Sequence, residues 1–233
     1  MATQYANGKI ATDGLVLALD IADKNSYPGS GTTWYDVSGN NRHFTWFSTP
    51  TTGVDGSVNY FTTLGNRCTG PASNTFGINN TTGYTIFLVS KQNSLVATSA
   101  FKFYSSNSGG RGIFSHCTWS DDVIYFDQGG CCGADTRTNV ASGGSQTWNI
   151  WTFRSSVAVR NIFKNGNILT TNSTTAANIN LSSTAIDLGS SDEYGGNSST
   201  WNARLASFVV YNRALSDSEV KQNVNATKSR FNL

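Results

Sequence analysis

Charge is scarce in this sequence. Only 13% of its 233 residues are Asp, Glu, Lys or Arg, against about 25% in ordinary globular chains. Ser, Thr, Asn and Gly fill the deficit. The formal net charge is +2 with both signs scattered, so the chain has no basic run or basic face and nucleic acid is not expected as a partner. Its apolar runs are strand-sized, so no membrane insertion is expected. The first ten residues, MATQYANGKI, lack a signal peptide's apolar stretch. The chain is therefore expected to fold in a cytoplasm. Histidine is scarce, at His43 and His116. Both sit in strand-like contexts, with no Gly-x-Ser-x-Gly nucleophile turn beside them.

Cysteine is present but sparse: Cys68, Cys117, Cys131 and Cys132. A cytoplasmic start argues against obligate disulfides. The C-x-x-C spacing of structural zinc sites is missing, so His116 with Cys117, Cys131 and Cys132 reads as buried or lightly exposed thiols rather than a metal site. Gly129-Gly130-Cys131-Cys132-Gly133 reads as a tight turn. Were the two cysteines in a strand, they would point to opposite faces.

What the chain does have is aromatic bulk and turns. Thirteen Phe, nine Tyr and six Trp exclude a disordered chain. Only three prolines, with many Thr and Asn, suit strands joined by turns. Strands are expected over residues 15–20, 43–47, 59–61, 84–91, 100–104, 112–116, 123–127, 149–155, 157–164, 168–171, 185–188 and 203–211. Asn165-Gly166 takes the positive φ angles of a type I′ hairpin turn. Ser216-Asp217-Ser218-Glu219 is a capping box that starts one closing helix. So many short strands without interleaved helices predict an all-β, two-sheet antiparallel jelly-roll β-sandwich with a short C-terminal helix. The whole of 1–233 reads as one domain, with 1–12 as an N-terminal arm and 216–233 as helix and tail. Trp34, Trp46, Trp148 and Trp151 lie in or beside strands and read as core.

Several stretches carry a family resemblance. The end, WNARLASFVVYNRALSDSEV, resembles the last strand and closing segment of concanavalin A-like jelly rolls in their laminin-G-like branch. The start agrees, with GLVLALD at 14–20 and YPGSGTTWYDVSGNN at 27–41. Between them YTIFLV at 84–89, WNIWTF at 148–153, FKNGN at 163–167 and IDLG at 186–189 follow in the family's order. Together they look most like the single-domain jelly rolls of tailed-bacteriophage structural proteins. One departure is that Ala206-Ser207 stand where the family often carries an acidic pair, so no acid or metal role transfers there.

The resemblance implies a virion protein, an outer capsid or tail decoration, fibre or adhesin component on the virion surface. Other virion proteins would be its partners, and a homo-oligomer, a trimer at first guess, its assembly. The alternative is a lectin-like module for host-surface carbohydrate. Glycoside hydrolysis needs two carboxylates across a cleft. The family's hydrolases set them at alternate positions of one strand. Here Glu193 lies in a Gly-Ser loop, Glu219 caps a helix, and Asp121-Asp122 and Asp192-Glu193 are adjacent pairs. No enzyme activity is expected, nor any cofactor or metal. Asp36 in DVSGNN reads as an Asx turn rather than a calcium ligand, and Asp20 and Asp23 likewise. A sugar site pairs an aromatic platform with polar side chains on loops. Two loops offer this mixture, giving Trp119, Asp121 and Asp122 in one and Tyr194, Asn197 and Trp201 in the other as candidate glycan-binding residues.

Overall fold

A computed structural model describes residues 4–5, 8–106, 110–189 and 200–233. The strands begin with β1 (Gln4–Tyr5), β2 (Gly8–Lys9), β3 (Leu15–Asp20), β4 (Thr33–Trp34), β5 (Phe44–Trp46) and β6 (Thr51–Asp55). They continue with β7 (Val58–Thr62), β8 (Cys68–Ala72), β9 (Tyr84–Gln92), β10 (Phe101–Tyr104), β11 (Arg111–His116) and β12 (Val123–Gln128). The last are β13 (Arg137–Ala141), β14 (Asn149–Ser155), β15 (Arg160–Lys164), β16 (Asn167–Asn172), β17 (Ala185–Leu188) and β18 (Ala203–Tyr211). The helix α1 (Asp217–Thr227) follows.

Two antiparallel sheets carry the fold. One runs β13-β12-β11-β10-β17-β8-β5-β4. The other runs β16-β15-β14-β9-β18-β7-β6, with β3 also paired to β18. This is the two-sheet sandwich that the strand pattern predicts. Alternation along each strand sends every second side chain into the space between the sheets. In β12, Ile124 and Phe126 enter the core, while Tyr125 and Asp127 stand on the other face. Phe101 and Phe126 of the first sheet meet Phe153 of the second at 5.5 and 5.4 Å, and Phe101 meets Phe208 at 5.5 Å. Such ring pairs add roughly 0.5–1.5 kcal/mol each beyond the area they bury. Trp34, Trp46, Trp148 and Trp151 are all buried, as expected.

The central strands of the second sheet, β9 and β14, are buried almost end to end on both faces. The reason is α1 and the turn after it, which lie on that sheet's outer side. Ser216 caps the helix through the expected capping box with Glu219. Asn223 accepts from the Ala11 amide at 2.8 Å and donates to the Tyr211 hydroxyl at 2.8 Å. Arg230 clasps Asp20 with two bonds of 2.6 and 2.8 Å. The tail is thus fastened to the sandwich. The Asn165-Gly166 hairpin has φ of 52° and 83°, as a type I′ turn requires.

The sequence reading has no strand at β4, β6, β8 or β13, nor at β1 and β2, which pair within the stretch read as an N-terminal arm. β8 contains Gly70 and Pro71, weak strand formers. β13 is an edge strand whose mixed burial shows no strict alternation. No described helix is long and apolar enough to cross a membrane.

Candidate functional site

The alternation that fills the core with Ile113, Ile124 and Phe126 puts polar side chains on the far face of the first sheet. Register aligns them in a row. Thr69 lies opposite Asp187, Asp187 opposite Lys102, Lys102 opposite Phe114, Phe114 opposite Asp127, and Asp127 opposite Arg137. A second row sets His116 opposite Tyr125 and Tyr125 opposite Asn139. Charges of both signs therefore alternate across one face.

Trp119, one of the predicted site residues, closes the β11–β12 turn. Its amide donates to Val123 O at 2.9 Å, and its carbonyl accepts from the Asp122 amide at 3.1 Å. The half-buried indole meets the His116 ring edge to face at 4.5 Å. Asp121 is exposed and accepts from the Tyr125 hydroxyl at 2.8 Å and from the Val123 amide at 3.0 Å. Partial burial pulls its carboxyl up, but those two donors and its own backbone amide together hold the group below the usual carboxylate range. The same bond pushes the Tyr125 hydroxyl up. Asp122, at φ 59°, turns the other way. Its Oδ1 accepts from Ser142 at 2.7 Å, Ser145 at 2.8 Å and Thr118 at 3.3 Å. Asp122 staples the turn to the 142–145 loop, whereas Asp121 and Trp119 reach the surface.

Three of the predicted site residues belong to the other loop of the sequence, not to this turn. Trp201 is fully buried within the core cluster, so it is corrected to a packing residue. Its amide bonds Gly189 O at 2.8 Å and its carbonyl accepts from Thr63 Oγ1, which draws the residue in beneath the start of β18. Tyr194 and Asn197 lie outside the described residues.

The structure adds groups that the sequence reading missed. Arg137 makes a bidentate pair with the fully buried Asp127 at 2.6 and 2.6 Å. Its guanidinium also lies 4.5 Å over the Tyr125 ring. The Asp127 carboxylate holds the Arg137 guanidinium above its usual range. His116 is buried, and burial lowers its pKa to about 4. Asp127 Oδ2 is 3.9 Å from His116 Nε2 and would favour the cation. That carboxylate is already bonded to Arg137, and Arg137, Arg111 and Lys102 all oppose a further positive charge. The signal for Tyr125 and Asp127 was in the sequence, as the polar positions of an alternating strand. Arg137 was hidden because its strand has no such pattern.

The accessible face is thus Trp119, Asp121, Tyr125, Arg137 and Asn139. It combines two aromatic surfaces with a carboxylate, a guanidinium and an amide set by a rigid sheet. Among the described residues no group of three or more His, Cys, Asp or Glu is placed to hold a metal ion. On the second sheet a groove of about 450 Å³ runs beside Asp55, Lys91, Trp148, Lys164 and Asn165. There Asp55 Oδ2 already takes Lys91, Arg204 and Trp148 Nε1 at 2.8, 2.6 and 3.1 Å.

A scan against protein-family models and a search of curated proteins find no match to this chain. Solved structures do match in fold. Trypanosoma rangeli sialidase superposes with a TM-score of 0.67 at 14% identity, over 95% of this chain and 34% of its own. A structure of botulinum neurotoxin type C, whose cell entry depends on two ganglioside molecules, gives 0.67 at 14%, over 92% and 51%. The binding domain of Paraclostridial Mosquitocidal Protein 1 gives 0.68 at 15%, over 92% and 52%. The chain thus spans about a third to a half of these proteins, and at such identity the likeness shows the fold alone: a β-sandwich. The sialidases correct one expectation. The missing strand of paired carboxylates pointed to a chain that is not an enzyme, yet enzymes stand among its structural neighbours.

Proposed function

We propose that this chain is a lectin-like carbohydrate-binding jelly roll, displayed on the surface of a tailed-phage particle, that grips host-surface glycans with the Trp119–Tyr125–Arg137 face. The observation that carries the sugar reading is the two accessible aromatic rings, Trp119 and Tyr125, set about the buried His116 ring beside the Arg137 guanidinium and the Asp121 carboxylate. A pyranose has an apolar face that stacks on an aromatic ring and a rim of hydroxyls that seeks such donors and acceptors. The ganglioside dependence of a neurotoxin with this fold agrees with that chemistry. The particle rests on the resemblance of both chain ends to phage jelly rolls. A shallow single site of this kind binds weakly, and a homo-oligomer, a trimer by preference, multiplies its grip.

A glycan array probed with the wild-type chain, Trp119→Ala and Tyr125→Phe tests the site. Binding by the wild type that falls at least tenfold in Trp119→Ala and weakens in Tyr125→Phe supports it. Unchanged binding in both variants moves the site elsewhere. No binding to any glycan ends the lectin reading. Mass spectrometry of purified particles tests the placement, and absence of the chain from them ends that half.

A further inference from the structure

The hairpin between β12 and β13 holds a feature that sugar binding does not use. Cys132 takes a left-handed φ of 75°. The two cysteines therefore do not splay to opposite faces as they would in a strand. Cys132 Sγ instead lies 2.7 Å from Cys131 Sγ. The turn that holds them is built independently of the sulfurs. Arg137 N bonds Gly133 O at 2.7 Å, Thr136 N bonds the same carbonyl at 3.1 Å, and Gly133 N bonds Thr136 Oγ1 at 2.9 Å. Glycines at 129, 130 and 133 flank the pair. Arg111 Nη1 lies 2.5 Å from Cys131 Sγ. Cys132 is exposed and Cys131 half-buried, whereas Cys68 and Cys117 are sealed in the interior.

We propose that Cys131 and Cys132 are a modification site, a vicinal dithiol that hydrogen peroxide closes to an intramolecular disulfide. The exposed Cys132 meets the oxidant first. Its thiolate attacks one peroxide oxygen, the O–O bond breaks, and the other oxygen leaves as water with a proton. The Cys132 sulfenic acid that results is then attacked by the deprotonated Cys131 sulfur. The S–S bond forms and hydroxide departs, taking up a proton as a second water. Two thiols and one peroxide thus give one disulfide and two waters, with sulfur oxidised and peroxide oxygen reduced. Proximity makes the second step far faster than capture of a thiol from another molecule. Burial, and the hydrogen bond from Cys132, push the Cys131 thiol up, against the pull of Arg111. Closure therefore quickens as pH rises from neutral, because the attacking form is the thiolate.

The test is intact-mass spectrometry of the reduced, purified chain after limited hydrogen peroxide, with fragmentation of the 112–137 peptide. The expected product is a monomer lighter by two hydrogens, with the bond mapped to Cys131–Cys132 and reversed by a thiol reductant. The loss should persist in Cys68→Ala and vanish in Cys131→Ser and in Cys132→Ser. A disulfide-linked dimer through Cys132 overturns the proposal. So does oxygen retained on Cys132 with no hydrogens lost, or a bond mapped to Cys117. Fragmentation of the wild-type peptide decides the matter even if a variant misfolds.

Discussion

At the scale of single residues, the most telling group is Asp127, a carboxylate with no exposed surface. Placing such a charge inside a protein is costly unless a partner and hydrogen bonds accompany it. Arg137 supplies both, through two short bonds across neighbouring strands. Arg137→Ala would leave Asp127 buried with its principal cation gone. The expected loss is about 3–5 kcal/mol, the usual cost of breaking one side of a buried pair. Urea unfolding followed by tryptophan fluorescence measures it, and a change under 1 kcal/mol would mean that other cations already hold the carboxylate. Truncating Trp119 or Tyr125, by contrast, leaves no buried charge behind, because the carboxylate bonded to Tyr125 is the exposed Asp121. Residue-level signals were unevenly legible in the sequence. Trp119 and Asp121 were found because a large aromatic and an acid in a turn have no duty in the core. Trp201 showed the same local pattern but was drawn inside by Gly189 and Thr63, residues distant in sequence. The opposed roles of Asp121 and Asp122 depend on a left-handed φ that no composition reveals.

At the scale of elements, turns and caps were the most readable parts, because their chemistry is local. The Asn165-Gly166 hairpin and the Ser216–Glu219 box formed where the residue types placed them. Edge strands such as β6 and β13 were not readable, since an edge is stabilised by a partner rather than by its own pattern. Ser216→Ala should cost about 0.5–2 kcal/mol, the usual worth of a helix cap. Two glycine substitutions separate backbone conformation from space. Gly166→Ala faces only a positive φ, since its added carbon would meet Val224 at an ordinary 3.5 Å. Gly83→Ala has a positive φ of 70° and would also set that carbon 2.1 Å from the Ser155 carbonyl oxygen. That oxygen belongs to the end of β14, so the clash cannot be relieved by a rotamer change. Gly83→Ala should therefore lower the melting temperature clearly more than Gly166→Ala. Equal effects would show that the 83–155 approach opens at little cost.

At the scale of the whole molecule, the pH dependence of stability joins the two sheets to the helix. Burial holds His116 neutral in the folded state, with its pKa lowered from 6.5 to about 4. Between those values the unfolded chain binds a proton that the folded chain refuses, so stability rises with pH across that window. His116 therefore contributes nothing to pH dependence above about 7 and an increasing penalty as pH falls from 6.5 toward 4. Glu219 acts lower down. Arg213 grips it with bonds of 3.0 and 2.5 Å, and the Ser216 amide adds another of 2.8 Å. Those donors lower its pKa from 4.5 to about 2. Its stabilisation is complete above 4.5 and is lost as pH falls through that interval toward 2. Asp55 and Asp121 are also held below their usual range and steepen the same limb. The melting temperature should thus be level near pH 7–8 and then decline in two overlapping stages on acidification. Replacing His116 with Gln should flatten the upper stage, between pH 6.5 and about 4, and leave the lower one in place. Replacing Glu219 with Gln should shrink the lower stage alone. A wild-type curve that is flat from pH 7 to 4 would mean that His116 reaches a partner or solvent when charged, and the outer face of the first sheet would then be more open than its burial implies.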